Sequence, residues 1–127
     1  MDHAALVSFD IENGKEAIEA LDKYGRSPNV ALWAKLPEYE DWRLVIASER
    51  LNQTSSRSGY EEINAALRKA GVSFHKRPII FLKSMTSPMI QELRGVFASA
   101  RDTYGMRLGS QTFGDQYIED AFVYRIQ

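Results

Sequence analysis

Two neighbouring carboxylates near the end of the chain, Glu119 and Asp120, are the residues whose type and spacing could most readily do chemistry. Strict alternation along a strand from Tyr117 to Ile126 puts Asp120 with Ile118, Phe122, Tyr124 and Ile126, the more apolar side. Glu119 then falls with Tyr117, Ala121, Val123 and Arg125. A carboxylate on a core face costs several kcal/mol unless it is paired or protonated. Asp120 is therefore expected either in a structural ion pair, with Arg43 or Arg107 as partner, or as a catalytic acid with a raised pKa. Together the two acids also have the oxygen chemistry to hold a hard divalent cation against a phosphate, as in metal-dependent nucleases. Because adjacent strand residues point to opposite faces, a shared ion would require a bulge or a strand end.

Two further constellations suit recognition better than catalysis. The turn Glu38-Tyr39-Glu40-Asp41, between Leu36-Pro37 and Trp42, gathers negative charge beside two aromatic rings. Such a tip is either a docking epitope or a solubilising turn over a buried Trp42. His75-Lys76-Arg77, which follows Arg68-Lys69, is the densest basic cluster and could meet phosphate, nucleic acid or a partner protein, or simply be solvated. Cations at a helix C-terminus already favour the macrodipole, which accounts for Arg68 and Lys69 without a ligand. Gln91, Arg94 and Arg101 could extend that basic patch. Trp33, placed by alternation on the less buried face beside Val45, is either covered by a helix or part of an oligomer interface.

Other chemistries are disfavoured by what the chain lacks. It has no cysteine, which removes thiolate metal sites, thiol nucleophiles and disulfides, and points to a cytoplasmic setting. Its two histidines, His3 and His75, offer no nucleophilic triad, since the only one away from the terminus sits in a basic turn. The glycines around Gly105, Gly109 and Gly114 lack the spacing and the strand-to-helix context of a phosphate loop. With 16 basic and 17 acidic side chains, no global field steers the protein toward nucleic acid or an anionic membrane. The first residues read as neither a signal peptide nor an anchor, and no apolar stretch approaches the roughly 20 residues of a membrane span.

Positioning these groups requires an α+β domain. A helix over Asp10–Tyr24 follows from Ile11, Ile18 and Leu21, stopped by Gly25. Asn13 and Gly14 sit poorly inside it, so the helix could instead start near Asn13 and leave Ala4–Phe9 as a short strand. Val30–Leu36 and Trp42–Ser48 read as a hairpin, and the stretch from Leu51 to Ser58 as a polar loop. Ser58 and Glu61 form a capping-box signature ahead of Tyr60, Ile63, Leu67 and Ala70. Ile79–Leu82 reads as an interior strand. Ser87-Pro88 opens a helix to about Arg101, and Met106–Phe113 with Tyr117–Ile126 form a closing hairpin. The expectation is one domain over residues 1–127, a five-stranded mixed or antiparallel sheet with three helices mainly on one face, in the order α-ββ-α-β-α-ββ.

No catalytic constellation emerges, and apolar or aromatic residues lie on faces that a lone sheet would leave open. The sequence reading is a small soluble intracellular protein-interaction or regulatory module with no cofactor or metal and no membrane contact. It acts on a partner protein or by self-association, including as a homodimer. The alternatives are a metal-dependent nuclease-like or phosphate-handling domain built on Glu119 or Asp120, and an RNA-binding accessory domain using Arg68, Lys69, Lys76 and Arg77.

Overall fold

A computed structural model describes residues 6–51 and 55–127. His3, the first two positions of the suggested Ala4–Phe9 strand, and Gln53 and Thr54 of the polar loop lie outside the described residues. Along the chain come α1 (Ser8–Lys23), β1 (Val30–Lys35), β2 (Arg43–Ala47), α2 (Ser56–Lys69), a single 3-10 turn (Phe74–Lys76), β3 (Ile80–Leu82), α3 (Pro88–Val96), β4 (Arg107–Phe113) and β5 (Gln116–Ile126). The strands form one five-stranded sheet in the order β3-β2-β1-β5-β4. Only the β2–β3 pairing is parallel, and α2 provides the crossover between those strands. The α-ββ-α-β-α-ββ order and the mixed sheet match the sequence reading.

Both faces of the sheet are covered, because β1 and β2 are apolar on both sides. Leu32 lies opposite Val45 and Trp33 opposite Leu44. Val30, Leu32, Ala34, Val45 and Ala47 pack with Met89, Ile90 and Leu93 of α3. Ala31, Trp33, Leu44 and Ile46 pack instead with Ile18 and Leu21 of α1 and Ile63 and Leu67 of α2. Two helices therefore cover one face and the third covers the other.

Several boundaries move for local reasons. α1 starts at Ser8, with the Asp10 carboxylate accepting from the Val7 N–H, and it runs straight through Asn13 and Gly14. Residues 8 and 9 are helical, so the alternative start at Asn13 does not hold. At Gly14 a Cβ would stand 2.4 Å from the Tyr124 hydroxyl and 2.7 Å from Trp33 Nε1. This close approach explains a glycine that propensity alone disfavours. The N-cap of α2 is Ser55, not Ser58: the Ser55 hydroxyl accepts the Ser58 N–H. Ser87 caps α3 as its sequence suggests, but the helix ends at Val96. β3 is an edge strand rather than an interior one, pairing only with β2. On its outer side the Tyr60 hydroxyl accepts the Leu82 N–H at 2.8 Å, which closes part of that edge.

The alternation expected for β5 fails at two points. Ala31 faces Arg125 whereas Leu32 faces Val123, so Tyr124 is the extra residue of a bulge. It sides with Phe122 toward α1 and α2, while Val123 and Ile126 side with α3. Nearer the turn, Ser110 of β4 has φ 54°. Across this irregularity Leu108 and Phe113, and likewise Ile118 and Ala121, join the same core despite odd spacings.

Candidate functional site

Topology brings the tip and the basic turn together at one end of the sheet. β2 and β3 run parallel, so the residues that precede them, Trp42 and Pro78-Ile79, arrive side by side, and the Leu44 N–H donates to the Ile79 carbonyl at 2.8 Å. β1 runs the opposite way and delivers its C-terminal turn to the same end. The first turn of α1 closes over this end, where the Asp10 carbonyl accepts from Trp33 Nε1 at 3.1 Å. These pieces enclose a cavity of about 310 Å³. Its walls are Asp10 from α1, Trp33 from β1, Asp41 and Trp42 from the tip, and Arg77, Pro78 and Ile79 from the segment entering β3.

Of the residues singled out by sequence, Trp33, Asp41 and Arg77 meet here. Trp33 is covered by a helix, one of its two expected placements, although not beside Val45. It is 4% exposed under α1, since its in-register neighbour is Leu44 and the face it occupies is the one α1 covers. Its Nε1 also donates to the Tyr124 hydroxyl at 3.0 Å, and that hydroxyl in turn donates to the Ile11 carbonyl. Burial pushes the Tyr124 phenol above its ordinary value near 10, with the hydrogen bond from Trp33 opposing the shift.

The tip is bolted to the body rather than loosely presented. Both Glu38 carboxylate oxygens accept from Gln116 Nε2 at 3.0 Å. The Tyr39 ring meets Phe81 edge to face at 5.9 Å and carries the Arg43 guanidinium 4.2 Å from its centroid. Lys35 Nζ donates to the Tyr39 and Leu36 carbonyls. Glu40 and Asp41 remain exposed. Across the cavity, His75 and Lys76 are exposed on the 3-10 turn and do not line it. Arg77 is half-buried with Phe74 beside its guanidinium, 5.9 Å away. Phe74 is 80% exposed and Ile79 44% exposed, so apolar surface continues outward from the cavity.

Glu119 and Asp120 are elsewhere and are separately engaged. Asp120 is half-exposed on the side away from α3, with Phe122 as alternation suggests but parted from Ile118, which joins the α3 core across the irregularity near Ser110, and its partner is Arg107 rather than Arg43. Both of its carboxylate oxygens accept from Arg107, through Nε and Nη2, and the Ala121 N–H adds a further donor. Glu119 lies 3.5 Å from Lys35 Nζ. Among the described residues no three His, Asp or Glu side chains gather as a metal site. Arg94 does not extend the basic turn either. Arg94 belongs to α3, on the opposite face of the sheet from α2, and its Nε donates to the Gln127 carbonyl at 2.6 Å.

Asp10, Pro78 and Ile79 were not visible as site residues in the sequence. Asp10 reads as a helix start and Ile79 as a strand residue, and only the parallel pairing of β2 with β3 makes them neighbours of the tip. A second cavity of about 280 Å³, between α1 and β5, is lined by Lys15, Glu19, Tyr104 and the ion-paired Asp22 and Arg125 among others. Comparison with protein-family models, curated proteins and solved structures gives no match.

Proposed function

We propose that this chain works by recognition: a protein-interaction or regulatory module that engages its partner through the end of the sheet where the acidic tip meets the basic turn. The observation that carries this reading is the convergence of Asp41, Arg77 and the exposed Ile79 on one cavity, with Phe74 standing exposed beside it. Aromatic and aliphatic anchors flanked by charge are what interface hot spots use. The acids that a metal-dependent reaction would need at β5 are held by Arg107 and Lys35, which favours recognition over hydrolysis. No helix among the described residues is long and apolar enough to cross a membrane. The cysteine-free composition supports a reducing, cytoplasmic setting.

Site-specific crosslinking tests the proposal. A photoreactive residue in place of the exposed Ile79 is expected to capture one dominant partner chain, or a second copy of this chain, in its native cell. Asp41→Lys is expected to abolish that capture while leaving the circular dichroism spectrum unchanged. Diffuse labelling that Asp41→Lys does not alter would overturn the reading.

A further inference from the structure

We infer that the cavity between tip and turn takes a basic amino-acid residue with a free carboxylate, either as the free amino acid or as the C-terminal residue of a peptide. The inference rests on reading this end of the sheet as the recognition site, and it names the chemistry recognised there. Three charged residues line the cavity: Asp10, Asp41 and Arg77. Asp41 and Arg77 share it with opposite charges, yet among the described residues neither is in an ion pair.

Each group lacks a complement that such a ligand would bring. Arg77 lines the cavity with no ion-pair partner among the described residues, and its Nη2 reaches the Val72 carbonyl only at 3.5 Å. A half-buried guanidinium with no ion-pair partner retains donors at its outer nitrogens, and the acceptor that best fits its planar fork is a carboxylate. The two aspartates can only accept when ionised, so they call for ammonium or guanidinium donors. Asp10 already accepts the Val7 N–H at 3.3 Å and has lone pairs to spare. The lining holds one more negative than positive charge, which disfavours a purely anionic ligand such as phosphate. Pro78 and Ile79 offer apolar wall for the aliphatic stem of a lysine or arginine. At about 310 Å³ the cavity is at the lower end of the range for small-ligand sites, roughly 300–1,000 Å³, which suits a single residue.

Titration of the full chain at low salt, followed by calorimetry and by the indole signals of Trp33 and Trp42, tests the assignment. The probes are L-arginine, the peptide acetyl-Gly-Gly-Arg with a free C-terminus, its C-terminal amide, and L-glutamate. Arginine or the free-acid peptide is expected to bind with saturation and to shift the indole signals. The tighter of the two identifies the source. The amide is expected to bind at least about tenfold more weakly, as is the free-acid ligand to Asp41→Asn, each change removing about one charge-assisted contact. Asp41 is exposed, so that variant keeps the fold. Glutamate binding as well as arginine, an amide equal to the acid, or no saturation by any basic probe would each overturn the assignment. If the probes fail while the crosslink at Ile79 persists, only the ligand class is lost. If both fail, the recognition reading falls with it.

Discussion

Replacing Gly14 by alanine should destabilise the protein even though alanine is the better helix former. Position 14 is inside α1, where the swap taken alone is worth about 1 kcal/mol in favour of the variant. The new Cβ would stand 2.4 Å from the Tyr124 hydroxyl and 2.7 Å from Trp33 Nε1, closer than real contacts allow, so α1 must lift or the two side chains must move. Overpacking of this kind costs about 1–3 kcal/mol, and detaching the Trp33 or Tyr124 group from its buried acceptor costs about 1–3 kcal/mol more. The net expectation is a loss of about 2 kcal/mol, read as a lower urea midpoint at unchanged slope. Gly95 provides the control. It lies in the last turn of α3, and a Cβ there would meet nothing within 4 Å, so Gly95→Ala should gain about 0.5 kcal/mol from propensity alone. Tyr124→Phe in the Gly14→Ala background removes the nearer of the two clashing atoms and should return part of the loss. If Gly14→Ala raised the midpoint as Gly95→Ala does, the close approach of α1 to Trp33 and Tyr124 would be refuted.

The Asp22–Arg125 pair holds the Asp22 carboxyl below its ordinary value of 3.8, through the hydrogen bond from Arg125 against opposing desolvation. A depressed carboxylate contributes stability that is present above the unfolded value and lost as pH falls toward the folded one, so Asp22→Asn should flatten the stability profile below about pH 4. Because both partners are partly exposed, its cost at neutral pH should stay under about 1 kcal/mol. Tyr124 has the opposite sign: its phenol is raised, so the unfolded chain ionises first and stability should fall as pH climbs past about 10. In an ultraviolet titration the Tyr124 phenol should ionise only as the protein unfolds, a step absent in Tyr124→Phe. Tyr60→Phe removes the acceptor of the Leu82 N–H and should cost about 1 kcal/mol, with faster amide exchange at Leu82 than at Ile46.

The parts of this fold that sequence reveals are those set by local pattern. β1 and β2 are apolar on both faces, and that alone requires cover on both sides of the hairpin. Ser87-Pro88 specifies a helix start because the serine can accept the Ile90 N–H while proline needs no donor. Where the pattern offers rivals, it misleads: Ser55, Ser56 and Ser58 can all cap, and the one that does is Ser55. Alternation groups Asp120 rightly with Phe122 but wrongly with Ile118 and Ile126, because a bulge at Tyr124 and a left-handed Ser110 are backbone events that no side-chain periodicity records. Gly14 is legible as a sign of a different kind, a close packing approach. A glycine in a helix interior announces a close neighbour without saying which.

The candidate site was legible only in pieces, since Asp10, Trp33, Asp41 and Arg77 are far apart in the chain and only the sheet order assembles them. Its charges differ from several of those nearby, although Glu40 is likewise exposed and Arg43 Nε likewise buried without a partner among the described residues. At the same end of the sheet, Glu38 is taken up by Gln116, Glu119 by Lys35 and Asp120 by Arg107, so the fold satisfies acidic groups there when geometry permits. Asp41 and Arg77 line one cavity and are left apart. Had their role been to hold the tip to the turn, moving a long arginine side chain into contact would have cost little beyond rotamer entropy. Instead Phe74 stands against the guanidinium, Arg77 Nε is buried without an acceptor, and the carboxylate of Asp41 is exposed across the gap. Opposite charges held apart around a half-open cavity suit a ligand that bears both signs, which ties the docking face and the proposed zwitterionic ligand to one feature of the topology.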